Sequence, residues 1–78
     1  MSNGYSAKLI QLNRKASKKG LGVALGRVCI AVDYPVSSIA TQLGVSRQTV
    51  YNWFVGLYEP KNHAPNVVAM IKKLEKYS

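Results

Sequence analysis

The chain has 78 residues, of which eleven are Lys or Arg and three are Asp or Glu, so its formal net charge is +8 at pH 7. A chain of this length folds as one small domain with a single modest core, which excludes a deep substrate cleft. Its 47% of apolar residues excludes a disordered chain, and no apolar run approaches the roughly 20 residues that span a bilayer.

The first 20 residues are predicted to form a basic helix or arm, which precedes a domain spanning residues 21–78. Apolar side chains of this segment lie at helical spacing, at Tyr5, Leu9, Leu12 and Ala16. Lys18 and Lys19 form a basic last turn before Gly20, a residue that commonly ends helices. Two interpretations stay open: a solvated surface helix, or an arm that contacts a polyanion through these lysines.

Residues 21–32 are predicted to form a second helix. Their apolar positions repeat at helical spacing, at Leu21, Leu25, Val28 and Val32. Gly22 and Gly26 each weaken a helix by up to about 1 kcal/mol relative to Ala, and the β-branched residues would suit a strand. A strand would have no partner, however, because no other segment alternates with period two. We expect Cys29 to be a core residue and the segment Asp33-Tyr34-Pro35 to end the helix, because proline disfavours the α conformation in the residue before it.

The pattern that follows predicts two short helices joined by a tight turn. A short apolar face comes first, formed by Ile39, Ala40 and Leu43. Gly44 can then adopt the positive φ that the turn needs. Ser46 is predicted to cap a new helix by accepting a hydrogen bond from an amide of its first turn. Val45 and Val50 occupy the two positions of a hydrophobic staple, which sets the angle at which the chain enters this helix.

The helix that begins after Ser46 has an apolar side and a polar side. Its buried side is predicted to consist of Val50, Trp53 and Phe54. The remaining faces carry Arg47, Gln48, Thr49, Tyr51 and Asn52. Forked and planar side chains of this kind hydrogen-bond to base edges in DNA, whereas cations and hydroxyls bind its phosphates.

Residues 36–56 resemble the helix-turn-helix of the lambda repressor and Cro-like family of phage and bacterial regulators. The positions that carry the resemblance are Ile39, Ala40, Leu43, Gly44, Val45, Val50, Trp53, Phe54 and Gly56. The resemblance implies an all-α fold, a small helical bundle with a central helix-turn-helix. Val36 stands where many members have a phosphate-binding Gln, so that contact is not carried over. The family's dimerising fifth helix or strand is not recognised before Ser78, which leaves a homodimer on DNA open.

The last segment is predicted to form a loop over residues 57–64 and a helix over residues 65–77. Pro65 suits the first helical position, and the apolar stripe consists of Val67, Met70, Ile71, Leu74 and Tyr77. Val68, beside the stripe, and Tyr77, at its end, could instead serve a partner helix. In the family this loop often touches the DNA backbone, so the resemblance implies phosphate contacts for Lys61 and Asn62.

The predicted DNA contacts fall into two groups. Base contacts are expected from the polar face of the helix after Ser46, at Arg47, Gln48 and Asn52. Backbone contacts are expected at Ser37, Ser38, Ser46, Thr49, Tyr51, Lys61, Asn62, Lys18 and Lys19. Since no secretory signal is recognised at the basic N-terminus, we expect a protein of the bacterial host's cytoplasm or nucleoid.

The sequence therefore predicts a sequence-specific, double-stranded DNA-binding protein that regulates transcription, as a repressor does. An excisionase-like accessory factor in recombination and a basic protein-interaction module are the alternatives. Catalysis is not expected, because the three acids, His63 and Cys29 are spread over different elements. No cofactor, metal, membrane or small-molecule substrate is expected either, since one Cys and one His lack the partners of a zinc site.

Overall fold

A computed structural model describes residues 5–17 and 19–77 of the chain. All regular structure in these ranges is helical: α1 Ala7–Lys15, α2 Leu21–Val32, α3 Val36–Leu43, α4 Arg47–Phe54 and α5 Ala64–Glu75, with a 3-10 turn at Lys61–His63 before α5. The all-α prediction is confirmed. None of the helices in these ranges has both the length and the apolar character needed to cross a membrane.

Local chemistry sets the boundaries of the central helices. Helix α2 ends as predicted at Val32, and of the three residues expected to end it Asp33 does so, because it adopts the left-handed conformation at φ 62°. A short polar side chain such as Asp tolerates this conformation better than most residues do. Pro35 instead stands at the start of α3, in the extended conformation that precedes a helix.

Helix α2 lies at the centre of the fold and packs against α1, α4 and α5. The core is therefore built around its side chains Leu25 and Cys29, both fully buried. Val50 and Phe54 from α4 and Val67 from α5 are also fully buried in the same cluster. The predictions that Cys29 is a core residue and that α4 buries Val50, Trp53 and Phe54 are confirmed.

Two glycines of α2 allow α4 and α1 to approach closely. A Cβ atom at Gly22 would lie 2.6 Å from the carbonyl oxygen of Trp53. A Cβ atom at Gly26 would lie 2.6 Å from Nδ2 of Asn13 and 2.9 Å from Cγ of Phe54. These residues weaken α2 as an isolated helix, but close packing of the three helices requires them.

Helix α1 follows its predicted apolar stripe at Tyr5 and Leu9, which pack in or against the core, but not at Leu12. It also ends at Lys15, so Lys19 and Gly20 do not form its last turn and its stop as predicted, and Gly20 instead precedes α2.

Tyr5, just before the helix, and Asn13 are buried, whereas the Leu12 side chain is 43% exposed. The Asn13 amide is buried because it donates hydrogen bonds to the carbonyls of Phe54 at 2.7 Å and Val23 at 3.2 Å. The first segment thus packs on the rest of the fold through polar as well as apolar contacts.

Arg27 adds a second polar connection between α1 and α2. Its guanidinium donates hydrogen bonds to the carbonyls of Asn13 at 3.3 Å and Arg14 at 3.0 Å. Those carbonyls belong to the last turn of α1, where backbone acceptors lack partners within the helix and a cation is favoured.

Helix α5 buries Val67 and Leu74 against the core, as its apolar spacing predicted. The helix ends at Glu75, so the following Tyr77 is 71% exposed and does not continue the stripe. The prediction that Tyr77 belongs to the core stripe is therefore wrong. Val68 is also exposed, on the outer side of α5.

Candidate nucleic-acid interface

The first turn of α4 is held by a serine cap, as predicted. Ser46 has extended backbone angles, and its hydroxyl accepts a hydrogen bond from the Thr49 amide at 3.1 Å. The Ser46 and Thr49 hydroxyl oxygens also lie 2.9 Å apart and share a hydrogen bond. Because only one of the two hydroxyls donates in that bond, the other keeps a proton that can be donated to a phosphate.

The turn before this cap sets the direction of α4 relative to α3. Gly44 has φ 69°, and a Cβ atom placed on it would meet nothing within 4 Å. The glycine is thus needed for its backbone angle and not for space. Ala40 is buried, Val45 packs against the core and Val50 is fully buried, so both sides of the turn are fixed by apolar contacts.

Gln48 and Asn52, two of the residues predicted to contact bases, lie on one side of α4, whereas Arg47 is about 100° around the helix from Gln48 and lines a cavity with Tyr51. Arg47 and Gln48 are exposed in the first turn, and Asn52 is half-buried one turn later. The Gln48 side chain donates from Nε2 to Oδ1 of Asn52 at 3.0 Å. Tyr51 is oriented differently from its neighbours, because it is half-buried and packs against the core cluster.

A cavity lies between the start of α3 and the start of α4. Its lining includes Ser37 and Arg47, which are 10 positions apart in the sequence, together with Tyr5, Asp33 and Tyr51. The structure thus brings one predicted backbone-contact residue next to one predicted base-contact residue. Ser38 lies on the neighbouring face of α3, beside Thr41 and Gln42.

Tyr5 and Asp33 are two residues near this face that sequence reasoning did not assign to the site. The Tyr5 hydroxyl donates to the backbone carbonyl of Tyr34, and the Tyr34 hydroxyl accepts from the Gln42 amide. Burial raises the pKa of Tyr5 above its ordinary value of 10.0, so its hydroxyl keeps its proton into a more alkaline range than an exposed tyrosine does. No local pattern links Tyr5 to α4, and the only signal for Asp33 was its place in the helix-ending Asp-Tyr-Pro.

The loop after α4 forms another part of the candidate interface. Lys61 and Asn62 are exposed in the 3-10 turn, as a phosphate-binding role requires. The next residue, His63, holds the turn against the core, because its ring centroid lies 5.8 Å from that of the buried Trp53. His63 therefore has a packing role that the sequence did not predict.

The end of the basic segment lies beside this loop. Exposed Lys19 shares the lining of a surface cavity with Gly56 and Glu59, which follow α4. Lys18, the other lysine expected to bind the backbone, lies outside the described residues.

The charge distribution suits a polyanion. Helices α3 and α4 contain no acidic residue, and Arg47 adds a positive charge at the first turn of α4. The carboxylate of Glu59, in the loop after α4, accepts hydrogen bonds from the backbone amides of Leu21 at 3.3 Å and Gly22 at 3.2 Å. Glu59 thus caps the start of α2, whose own cap residue is Gly20 and offers no side chain.

Helices α3 and α4, joined by the Gly44 turn, have the arrangement of a helix-turn-helix motif. In DNA-binding proteins with this motif, the second helix lies in the major groove. Residues 23–54 match a helix-turn-helix family model described as a homeodomain-like domain. The match begins within α2 and ends at the last residue of α4, so it covers the three helices that pack around Val50 and Phe54. Comparison with curated proteins and with solved structures finds no significant match.

Proposed function

We propose that this protein is a small regulator of transcription, similar to the lambda repressor and Cro-like proteins of phages and bacteria. It binds double-stranded DNA in the cytoplasm of a bacterial host and reads sequence with the first turn of α4. The observation that carries this proposal is the exposed pair Arg47 and Gln48 on a helix whose start is capped by Ser46. The buried face of the same helix fixes the direction in which these side chains project.

Arg47 and Gln48 differ in the bases they suit. A guanidinium donates two hydrogen bonds to O6 and N7 of guanine, whereas a Gln amide pairs with N6 and N7 of adenine. We therefore assign Arg47 to a G·C pair and Gln48 to a neighbouring A·T pair. Asn52 extends the same polar face by one helical turn.

The phosphate contacts are proposed from segments before and after α4. On the α3 side, the Ser37 hydroxyl lies beside Arg47, and Ser38 lies on the adjoining face. After α4, Lys61 and Asn62 are exposed in the loop, and Lys19 lines a surface cavity with Gly56 and Glu59. The spare proton of the Ser46 and Thr49 pair supplies a further donor at the start of α4.

The test is selection of bound sites from random duplexes, followed by binding measurements on single base-pair substitutions. Arg47→Ala is expected to cost about 1 to 3 kcal/mol on the selected site and to remove the preference at one G·C pair. Gln48→Ala is expected to act likewise at a neighbouring A·T pair. A palindromic selected site would in addition indicate a homodimer on DNA.

Lys61→Ala is the matched control, since a phosphate contact carries no base information and its loss weakens all duplexes alike. Each variant is first checked for its native helical circular dichroism. If Arg47→Ala and Gln48→Ala weakened every duplex equally, α4 would lie on the backbone and base readout would be refuted.

A further inference from the structure

The polar face of α4 carries two side-chain amides that are hydrogen-bonded to each other. Gln48 and Asn52 are four positions apart, which places them one above the other on the same side of the helix. Nε2 of Gln48 donates to Oδ1 of Asn52 at 3.0 Å, at the exposed surface. Within the described residues, neither amide has another side-chain hydrogen bond.

The order of donor and acceptor in a Gln amide decides which base it can read. A Gln side chain on its own can rotate its amide by half a turn, which exchanges Oε1 and Nε2. Adenine offers the acceptor N7 beside the donor N6, and so accepts only one of the two orders. Rotation therefore weakens both the affinity and the base preference of an unrestrained Gln.

We propose that Asn52 is a positioning residue that fixes the orientation of the Gln48 amide, so that the two side chains read one A·T pair as a unit. This inference rests on the proposed major-groove role of α4. In the structure Oδ1 of Asn52 accepts from Nε2 of Gln48, which places Oε1 of Gln48 on the side away from Asn52.

The remaining atoms of Gln48 match adenine. Its NH2 group has two protons, and one is used by Asn52. The second proton and Oε1 stay free as an adjacent donor and acceptor, which pair with N7 and N6. At guanine, Oε1 would instead face the acceptor O6, and the pair would be unfavourable. Orientation by Asn52 therefore contributes to discrimination without a base contact of its own.

The test compares two Asn52 variants on duplexes that differ only at the base pair read by Gln48. Asn52→Asp keeps an acceptor for Nε2, whereas Asn52→Leu has a similar volume and no acceptor. We expect Asn52→Asp to keep the preference for A·T, about tenfold for one bidentate contact, while binding all duplexes more weakly because of its added negative charge. Asn52→Leu is expected to lower that preference to about twofold.

A double-mutant cycle supplies the second measurement. Gln48→Ala and Asn52→Leu are expected to be non-additive on the A·T duplex, because the double variant loses no more preference than Gln48→Ala alone. Arg47→Ala combined with Asn52→Leu is the control cycle, where the fold-changes are expected to multiply.

The inference is overturned if Asn52→Asp loses the preference as fully as Asn52→Leu does, or if the effects of Gln48→Ala and Asn52→Leu multiply. If Gln48→Ala removes the preference for A·T while Asn52→Leu leaves it intact, this inference fails and the proposed function still stands. Wild-type protein that binds every duplex equally would refute the proposed function itself, and this inference with it.

Discussion

The side-chain amide of Asn13 donates a hydrogen bond of 2.7 Å to the backbone carbonyl of Phe54, and so joins α1 to the end of α4. The last carbonyls of a helix have no partner within it, and a buried one must be satisfied from elsewhere. The other contact of this amide, with the Val23 carbonyl, links the same point to α2. The basic segment thus helps to hold the candidate recognition helix in place.

Asn13→Ala is expected to lower the free energy of unfolding by about 1 to 3 kcal/mol, because the buried Phe54 carbonyl loses its donor and the Val23 carbonyl, which lies within α2, loses a second one. Urea unfolding followed by circular dichroism measures the change. Gln11→Ala, at an exposed position of the same helix, is the matched control and should leave the midpoint nearly unchanged. Equal midpoints for both variants would show that the Asn13 contacts contribute nothing to stability.

Gly22→Ala tests whether close packing or helix propensity determines how this position of α2 affects the stability of the protein. Propensity alone predicts a gain of about 1 kcal/mol. The structure predicts a net loss of about 1 to 2 kcal/mol, since the added Cβ would lie 2.6 Å from the Trp53 carbonyl oxygen and would overpack the crossing. Thermal unfolding distinguishes the two expectations, because the melting temperature rises with a gain in stability and falls with a loss.

The control for that variant is Gly20→Ala. A Cβ atom at Gly20 would lie 3.4 Å from Oε2 of Glu59, an ordinary contact, so the change is expected to cost about 1 kcal/mol or less at this cap position. A stabilised Gly22→Ala protein would contradict the close crossing of α2 and α4.

Stability is expected to fall above about pH 9 because of Cys29. Burial raises the pKa of its thiol from 9.0 to about 12 in the folded protein. Between these values the unfolded chain releases a proton that the folded protein keeps, so unfolding becomes more favourable by up to about 1.4 kcal/mol per pH unit. The raised pKa of Tyr5 acts in the same direction above its ordinary value of 10.0.

Urea unfolding from about pH 8 to about pH 10 measures this slope, and Cys29→Ala is the comparison. The variant should be less stable at neutral pH, since it leaves a small cavity, yet its stability should decline less steeply between those pH values. An identical slope in both proteins would mean that the Cys29 thiol titrates alike when folded and unfolded.

DNA binding is expected to depend steeply on salt. If about five to seven phosphates are neutralised, log K should fall against log salt concentration with a slope of about −5 to −6. Fluorescence anisotropy at several salt concentrations measures the slope. Lys19→Ala and Lys61→Ala should each make it shallower by about 1, because each removes one phosphate contact. A wild-type slope shallower than about −2 would contradict the electrostatic part of the proposal.

The sequence alone was sufficient for the features whose causes are local. The spacing of apolar residues located α2 to its observed ends, and Gly44 and Ser46 marked the turn and cap between α3 and α4. The positive φ of a turn, the capping of a first-turn amide and the apolar stripe of a helix each depend on residues only a few positions apart. Such features can therefore be recognised within one segment of the sequence. For the same reason, the spacing of Gln48 and Asn52, four positions apart, could predict that they lie on one side of α4.

Only the tertiary structure revealed the contacts that connect distant segments. Asn13 is buried because α4 brings an unpaired carbonyl to it, and Glu59 caps α2 because the loop after α4 lies beside Gly20. Whether glycine at position 22 stabilises or destabilises the fold likewise depends on Trp53, which packs closely against it from α4. Backbone groups at helix ends must be satisfied, but a linear pattern does not encode which distant side chain will satisfy them, because the packing of the whole chain determines that choice.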